Sequence, residues 1–386
     1  MFQDKKGMDL ALFILLQLGI ETISTEDEKV KELLTFPMAL WKTTMSLAEK
    51  QGMAAIAFDG VQRLYDSYGK EISAAKNQYA EWMQWVFTCT GTMSQYEQRC
   101  LAQRKVIAEL ADIWAKEDIN MMVFKGQANA SLYPTSTHRP TGDIDCYLFG
   151  HADEGDSILK KQGFKVDNSW YRHSKILFKG ETIENHRVMS HTRGSRKKKA
   201  MEEELKLLAL ERTESVECKT EKLSNEEDLG CALLPSAQFN ACFLTYHGLH
   251  HFLSEGLRMK QILDWAMFLK RDQDKVNWAA FNDFCERYQL DNFVAVMNYI
   301  ATTYLGIKLK CEAIATDGTY AERIIQSTLY DDYYLFNSGK SDWQVRWQIV
   351  KNMLLRDKWK YRNIAKENVW HHLWHSATGF LLKEQE

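Results

Sequence analysis

Proline occurs only 4 times in this chain of 386 residues, at Pro37, Pro134, Pro140 and Pro235. Its ring removes a backbone donor and clashes with the preceding helical turn, so long stretches without it lean toward helix. Proline-rich and collagen-like architectures are excluded. The length exceeds one minimal domain and suggests two or three packed units. Hydrophobic residues make up 45%, enough for a sizeable core and too many for wholesale disorder. Lys plus Arg number 49 against 52 acids, a net charge of -3, so any binding of nucleic acid or anionic membrane would have to be local. The 8 cysteines show no CxxC pair and no zinc spacing, and reduced, mostly buried thiols are expected.

Leu10 to Ile20 is the most apolar early stretch, but it is about half the length needed to cross a bilayer. It follows Lys5 and Lys6, yet no small-x-small cleavage site comes after it, so a first helix is expected rather than a secretory signal, and with it a cytoplasmic protein. Helical patterning runs from Met8 to Ile119. Ile107, Leu110, Ala111 and Trp114 make its clearest stripe, and breaks are expected at Gln51-Gly52 and Tyr68-Gly69.

Between Asn120 and Val188 the texture changes. Met121 to Phe124 and Ile144 to Phe149 read as short apolar strands, with a helix over Gln127 to Tyr133 between them and another over Asp153 to Gln162 after them. Three extended segments follow, at Phe164 to Asn168, Trp170 to Phe178 and Glu181 to Val188, with a turn at Lys179-Gly180. The fold class is therefore α+β, a small mixed sheet flanked by helical regions. The expected division is 1–92 helical, 93–219 sheet core and 220–386 helical. Arg193 to Lys199 is basic but runs straight into acids, so it reads as a solvated loop, and Lys219 to Leu229 reads as a polar linker.

The chemistry concentrates between Phe124 and His186. Side chains alternate along a strand, so Asp143 and Asp145 share a face about 7 Å apart, and two carboxylates so placed can share hard cations such as Mg²⁺. Spacing alone is weak, since Asp272-Gln273-Asp274 repeats it in a polar stretch. The context is what raises Asp143 and Asp145. Lys125-Gly126 ends the upstream strand, where a glycine lets backbone N–H groups approach a phosphate and a lysine adds positive charge. On the later strand Glu184 and His186 share one face, with Ile183 on the other. Glu184 can serve as a metal ligand or a general base, and His186 as a structural or a catalytic group. Arg139 can steady its loop or contact an anion. His247 and His251 lie one turn apart, but no acid completes a metal pattern there, and satisfied or surface histidines are expected.

Phe124-Lys-Gly126, Leu132-Tyr-Pro134, Arg139-Pro-Thr-Gly-Asp-Ile-Asp145 and Ile183-Glu-Asn-His186 together resemble the uncharacterised nucleotidyltransferase family of the DNA polymerase beta-like nucleotidyltransferase superfamily. The likeness extends less specifically over Trp41 to Lys270, including Arg258 and Asp264. It implies Mg²⁺-dependent (or Mn²⁺-dependent) transfer of a nucleoside monophosphate from a nucleoside triphosphate to a hydroxyl acceptor, with pyrophosphate leaving. By the same resemblance Asp143, Asp145 and Glu184 hold the metal ions and Gly126 stands at the phosphate-binding turn; Lys125, Gly126, Gln127, Arg139 and His186 are the residues expected at the nucleotide. A protein or small-molecule acceptor is expected ahead of nucleic acid, given the net acidity. Two positions depart from the family pattern. Gln127 replaces the small hydroxyl residue that follows the glycine in the wider superfamily, and Asn185 replaces an apolar residue. The first departure motivates the alternative, a catalytically silent nucleotide-binding or protein-interaction module of the same fold.

Overall fold

The computed structural model describes residues 2–74, 76–191, 196–215, 229–331, 341–370 and 373. The expected linker from Lys219 lies outside the described residues up to Leu229, as do Arg193 to Ser195 of the basic run. The architecture is α+β, a single five-stranded sheet among many helices. No helix among the described residues is long and apolar enough to cross a membrane.

The first helix, Phe2–Gly19, contains the apolar run, and Leu12, Leu15 and Leu16 are fully buried. It packs against helix Ala54–Ala74 through two glycines: a Cβ on Gly60 would collide with the carbonyl of Leu15, and one on Gly19 with the carbonyl of Ile56. The expected break at Gln51-Gly52 is present, with Gly52 at φ +71°. At Tyr68-Gly69 the helix kinks instead of ending, because only Tyr68 leaves helical geometry (φ −126°, ψ 21°) and a glycine loosens a helix without stopping it. The 40-residue helix Lys76–Ala115 then carries Ile107, Leu110, Ala111 and Trp114 onto the sheet.

The strands are β1 (Met122–Val123), β2 (Ile144–Tyr147), β3 (Lys165–Asp167), β4 (His173–Phe178) and β5 (Glu181–His186). Their order across the sheet is β1-β2-β5-β4-β3. β2 and β5 are parallel, and the other three pairings are antiparallel. Lys179 and Gly180, both at positive φ, make the tight β4–β5 turn. The register sets Ile144 beside Ile183 and Asp145 beside Glu184. One face therefore carries Ile144, Cys146, Ile176, Phe178 and Ile183, which pack with the Lys76–Ala115 stripe and Leu159 in an apolar cluster. Asn185 lies on this buried face, and its side chain donates to Ala152 O and to Asp156 Oδ1, each at 2.9 Å, which supplies the partner a buried amide needs. The opposite face carries Asp145, Lys175, Glu184, His173 and His186, toward helix Ala237–Ser254, whose Phe243 packs on Phe124.

The loop into β2 is anchored by His138, which bonds Asp59 at 2.7 Å and Glu97 at 2.9 Å, one from each long helix. Cys100, Cys146, Cys242 and Cys285 are buried free thiols.

Two measurements check this packing. Gly60→Ala should cost about 3 kcal/mol in chemical denaturation, because two helix backbones must separate, whereas Gly91→Ala, with nothing within 4 Å of the added carbon, should gain roughly 0.5–1 kcal/mol. Burial opposes charge on His138, but Asp59 and Glu97 outweigh it and its pKa is raised. That bridge thus contributes fully below the unfolded imidazole value near ~6.5 and fades as pH climbs through the raised folded value. The Tm of wild type should fall with pH across that range more steeply than that of His138→Gln.

Candidate functional site

The acidic face of the sheet is assembled from the chain turn after β1 and from neighbouring residues of β2, β5 and β4. Lys125 takes φ +61° and ψ −127° as the chain leaves β1 for the short helix Gly126–Ala130. A side-chain-bearing residue in that region costs on the order of 1–3 kcal/mol and persists only where its surroundings hold it. Here Lys125 Nζ donates to Asp145 Oδ1 at 2.6 Å, lying over the rings of Phe124 and Phe243. The unusual conformation thus falls on Lys125. At Gly126 a Cβ would touch Arg139 Nη1, Asp143 O and Thr141 Cγ2, each at 3.9 Å, so the loop before Asp143 lies against the turn.

Asp145 is enclosed, and burial alone would raise its pKa. The Lys125 ammonium and the hydrogen bond from His186 Nε2 at 2.9 Å prevail and hold the carboxyl well below the ordinary aspartate range. Glu184, its neighbour across the parallel register, has Oε1 3.3 Å from His173 Nε2 and 3.5 Å from Lys175 Nζ, with Oε2 3.6 Å from His186 Nε2. Burial raises its pKa too, but the His186 contact outweighs that and the net direction is down. Asp143, two residues before Asp145 and open to solvent, has a raised pKa, from partial burial and then from the negative charge of Glu184. The three acids therefore feel one another's charge, and each is ready to accept a cation or a proton in a different degree. Burial lowers the pKa of His173 to about 4, so this imidazole is neutral near pH 7.

Two residues expected at the nucleotide have their side chains engaged within the protein. The Gln127 side chain is buried and bonds Cys100 O at 3.3 Å and Gln103 Oε1 at 3.2 Å, behind the turn. Arg139 is buried in a two-pronged pair with Asp264 of helix Met259–Asp272, Nε to Oδ1 at 2.9 Å and Nη2 to Oδ2 at 2.7 Å. Tyr133 and Asn129 donate to the same carboxylate at 2.8 and 3.2 Å. These four residues join the loop before Asp143 to the later helices, tying bundle to sheet.

The sequence offered no local cue for the wall facing the acids. His247, on helix Ala237–Ser254, packs on Phe243 and His251, and burial followed by the nearby charge of His251 and Lys125 pushes its pKa well below the usual histidine value. His250 lies against His191, whose Nε2 meets Arg172 Nη1 at 2.6 Å. Lys260 is brought to about 8 by burial and by Arg139 and Arg258. The wall is thus nitrogen-rich and partly cationic, opposite a carboxylate floor. The second aspartate pair, Asp272 and Asp274, forms exposed ion pairs with Lys275 and Lys310 and takes no part.

The model of a family described as an uncharacterised nucleotidyltransferase matches residues 37–306, which include every residue of the floor, the turn and the wall. No curated protein and no solved structure matches the chain.

The arrangement of Arg139 gives a sharp expectation. Arg139→Leu leaves Asp264 charged and buried without its main partner and should destabilise the fold by about 3–5 kcal/mol in urea unfolding. A mutant of unchanged stability would reassign Arg139 to ligand contact.

Proposed function

Because the chain belongs to this nucleotidyltransferase family, we propose that it transfers a nucleoside monophosphate from a nucleoside triphosphate to a hydroxyl group on a protein or small molecule, releasing pyrophosphate. The observation that carries the reading is the register partnership of Asp145 with Glu184 on adjacent parallel strands, with Asp143 two residues upstream on the same face. Three carboxylates in mutual electrostatic contact fit a hard divalent ion by donor chemistry, since Mg²⁺ or Mn²⁺ prefers oxygen. Asp143, Asp145 and Glu184 would hold it. Such an ion, when bound, neutralises the charge that develops on the transferring phosphoryl oxygens and on the departing pyrophosphate.

The protein's own groups supply the rest. Asp145 stays ionised through its low pKa, so it offers a permanent negative charge to a cation. Asp143 is shifted up and Glu184 down from their ordinary values. The less acidic Asp143, exposed at the rim, is the better placed of the two to take a proton from an acceptor hydroxyl. Lys125 carries an ammonium beside Asp145 at the turn into helix Gly126–Ala130, where a phosphate would meet it. Arg172 adds a second cation which, like Lys125, acts on His247, and the two together favour an anionic ligand. The net acidity of the chain argues for a protein or small-molecule acceptor over nucleic acid.

Gln127, turned away in place of a hydroxyl residue, and Lys125, paired with Asp145, favour the second reading, a silent nucleotide-binding module. Incubation with each of the four α-labelled triphosphates, Mg²⁺ or Mn²⁺ and candidate acceptors separates the two. Label transfer or pyrophosphate release by wild type, lost by at least about 10³-fold in Asp143→Ala plus Asp145→Ala, is expected. Nucleotide binding without turnover under every condition would leave only the module.

A further inference from the structure

Glu184 has two imidazole neighbours, His173 and His186. His173 Nε2 stands 3.3 Å from Glu184 Oε1, outside hydrogen-bonding geometry, and neither of its ring nitrogens has a hydrogen-bond partner. The residue is 8% exposed, so water is largely excluded from satisfying it. His186, 1% exposed, holds Nδ1 3.3 Å from the carbonyl of Val188. A carbonyl only accepts, so Nδ1 carries a proton toward it, while Nε2 lies 2.9 Å from Asp145 Oδ1 and 3.6 Å from Glu184 Oε2. His173 is thus the ring left without a partner, and a cation between the two rings would give it one.

We propose that His173, Glu184 and His186 form a binding site for a borderline divalent transition ion of the zinc type, beside the oxygen-donor pair Asp143 and Asp145. One donor atom from each of the three lies within 4.8 Å of the others, close enough for small side-chain movements to bring them onto one ion. Two imidazole nitrogens and one carboxylate select zinc-type ions over Mg²⁺, and three protein donors leave a position open. The Val188 carbonyl on the far nitrogen of His186 is the outer contact that fixes the tautomer of a metal-binding imidazole. The indole of Trp170 stacks on His173 with its plane 7° away, which orients the ring. The site shares Glu184 with the proposed transfer reaction but requires neither a nucleotide nor an acceptor.

The test uses the full chain, stripped with chelator, in calorimetric titrations with ZnCl2 and, separately, MgCl2. One Zn²⁺ per chain is expected. Its affinity should weaken at least about tenfold in His173→Ala, with the thermal midpoint confirming a folded protein, and change less than about twofold in Asp143→Ala, which removes only an oxygen donor of the neighbouring pair. Visible absorption of the Co²⁺-loaded wild type, which reports nitrogen ligands without any substitution, should show ordered ligand-field bands. Undiminished Zn²⁺ binding in folded His173→Ala, as ligation at His247 and His251 would give, overturns the assignment. So does an absence of saturable Zn²⁺ binding, or a Co²⁺ spectrum of the hydrated ion. Zinc binding through His173 without label transfer would sink the transfer reaction and leave this site standing; the reverse result would do the opposite.

Discussion

The parallel pairing of β2 with β5 is the constraint on which the rest of the molecule depends. Side chains alternate across a sheet, so one register decides two things together. With Ile144 beside Ile183, the apolar residues meet the stripe from the long helix, and Asp145 falls beside Glu184 on the far side. A slip of one residue would turn the isoleucines outward and press the carboxylates into that apolar cluster, where uncompensated charge costs several kcal/mol. The hydrophobic face therefore enforces the alignment of the acids. No contact among the acids themselves could do so, because they repel one another.

That repulsion is balanced by a surrounding set of positive and polar groups. Lys125 and His186 serve Asp145; His173 and Lys175 approach Glu184. The balance is graded, and the three carboxyls end with pKa values moved in different directions by their particular neighbours. The backbone participates as well. Lys125 adopts a conformation that glycine would adopt freely, and its ammonium reaches Asp145 from it. Strained residues cluster where a chain must aim a group rather than merely pack it.

Much of this was legible in the order of residues. The i, i+3, i+4, i+7 stripe at Ile107 to Trp114 lies where its spacing put it, and the Ile183, Glu184, His186 alternation placed those side chains on the faces they occupy. The apolar segments around Met122 and Ile144 became strands because short runs bounded by glycine have few other uses. What escaped was non-local. Arg139 sits next to the Asp-x-Asp segment in sequence, yet its partner is 125 residues away. Gln127 follows the phosphate-turn glycine, but the long helix behind it offers hydrogen bonds that draw the amide inward. His173 opens β4 with no neighbour in sequence to suggest an imidazole cluster, and only the antiparallel return of β5 brings His186 opposite it. The kink at Tyr68 shows the same limit in a milder form, since a local helix-weakening signal was overridden by the continuing apolar face.

The buried junction of Arg139 with Asp264, Tyr133 and Asn129 acts as a fixed calliper between sheet and bundle. Prising the two apart would strand a guanidinium and a carboxylate in an apolar setting, so wide rigid-body opening is energetically closed to this protein. The relative placement of the acidic sheet face and the later helices is thus set in large part by one buried ion pair, and a ligand that reaches the acids must suit that placement rather than reshape it.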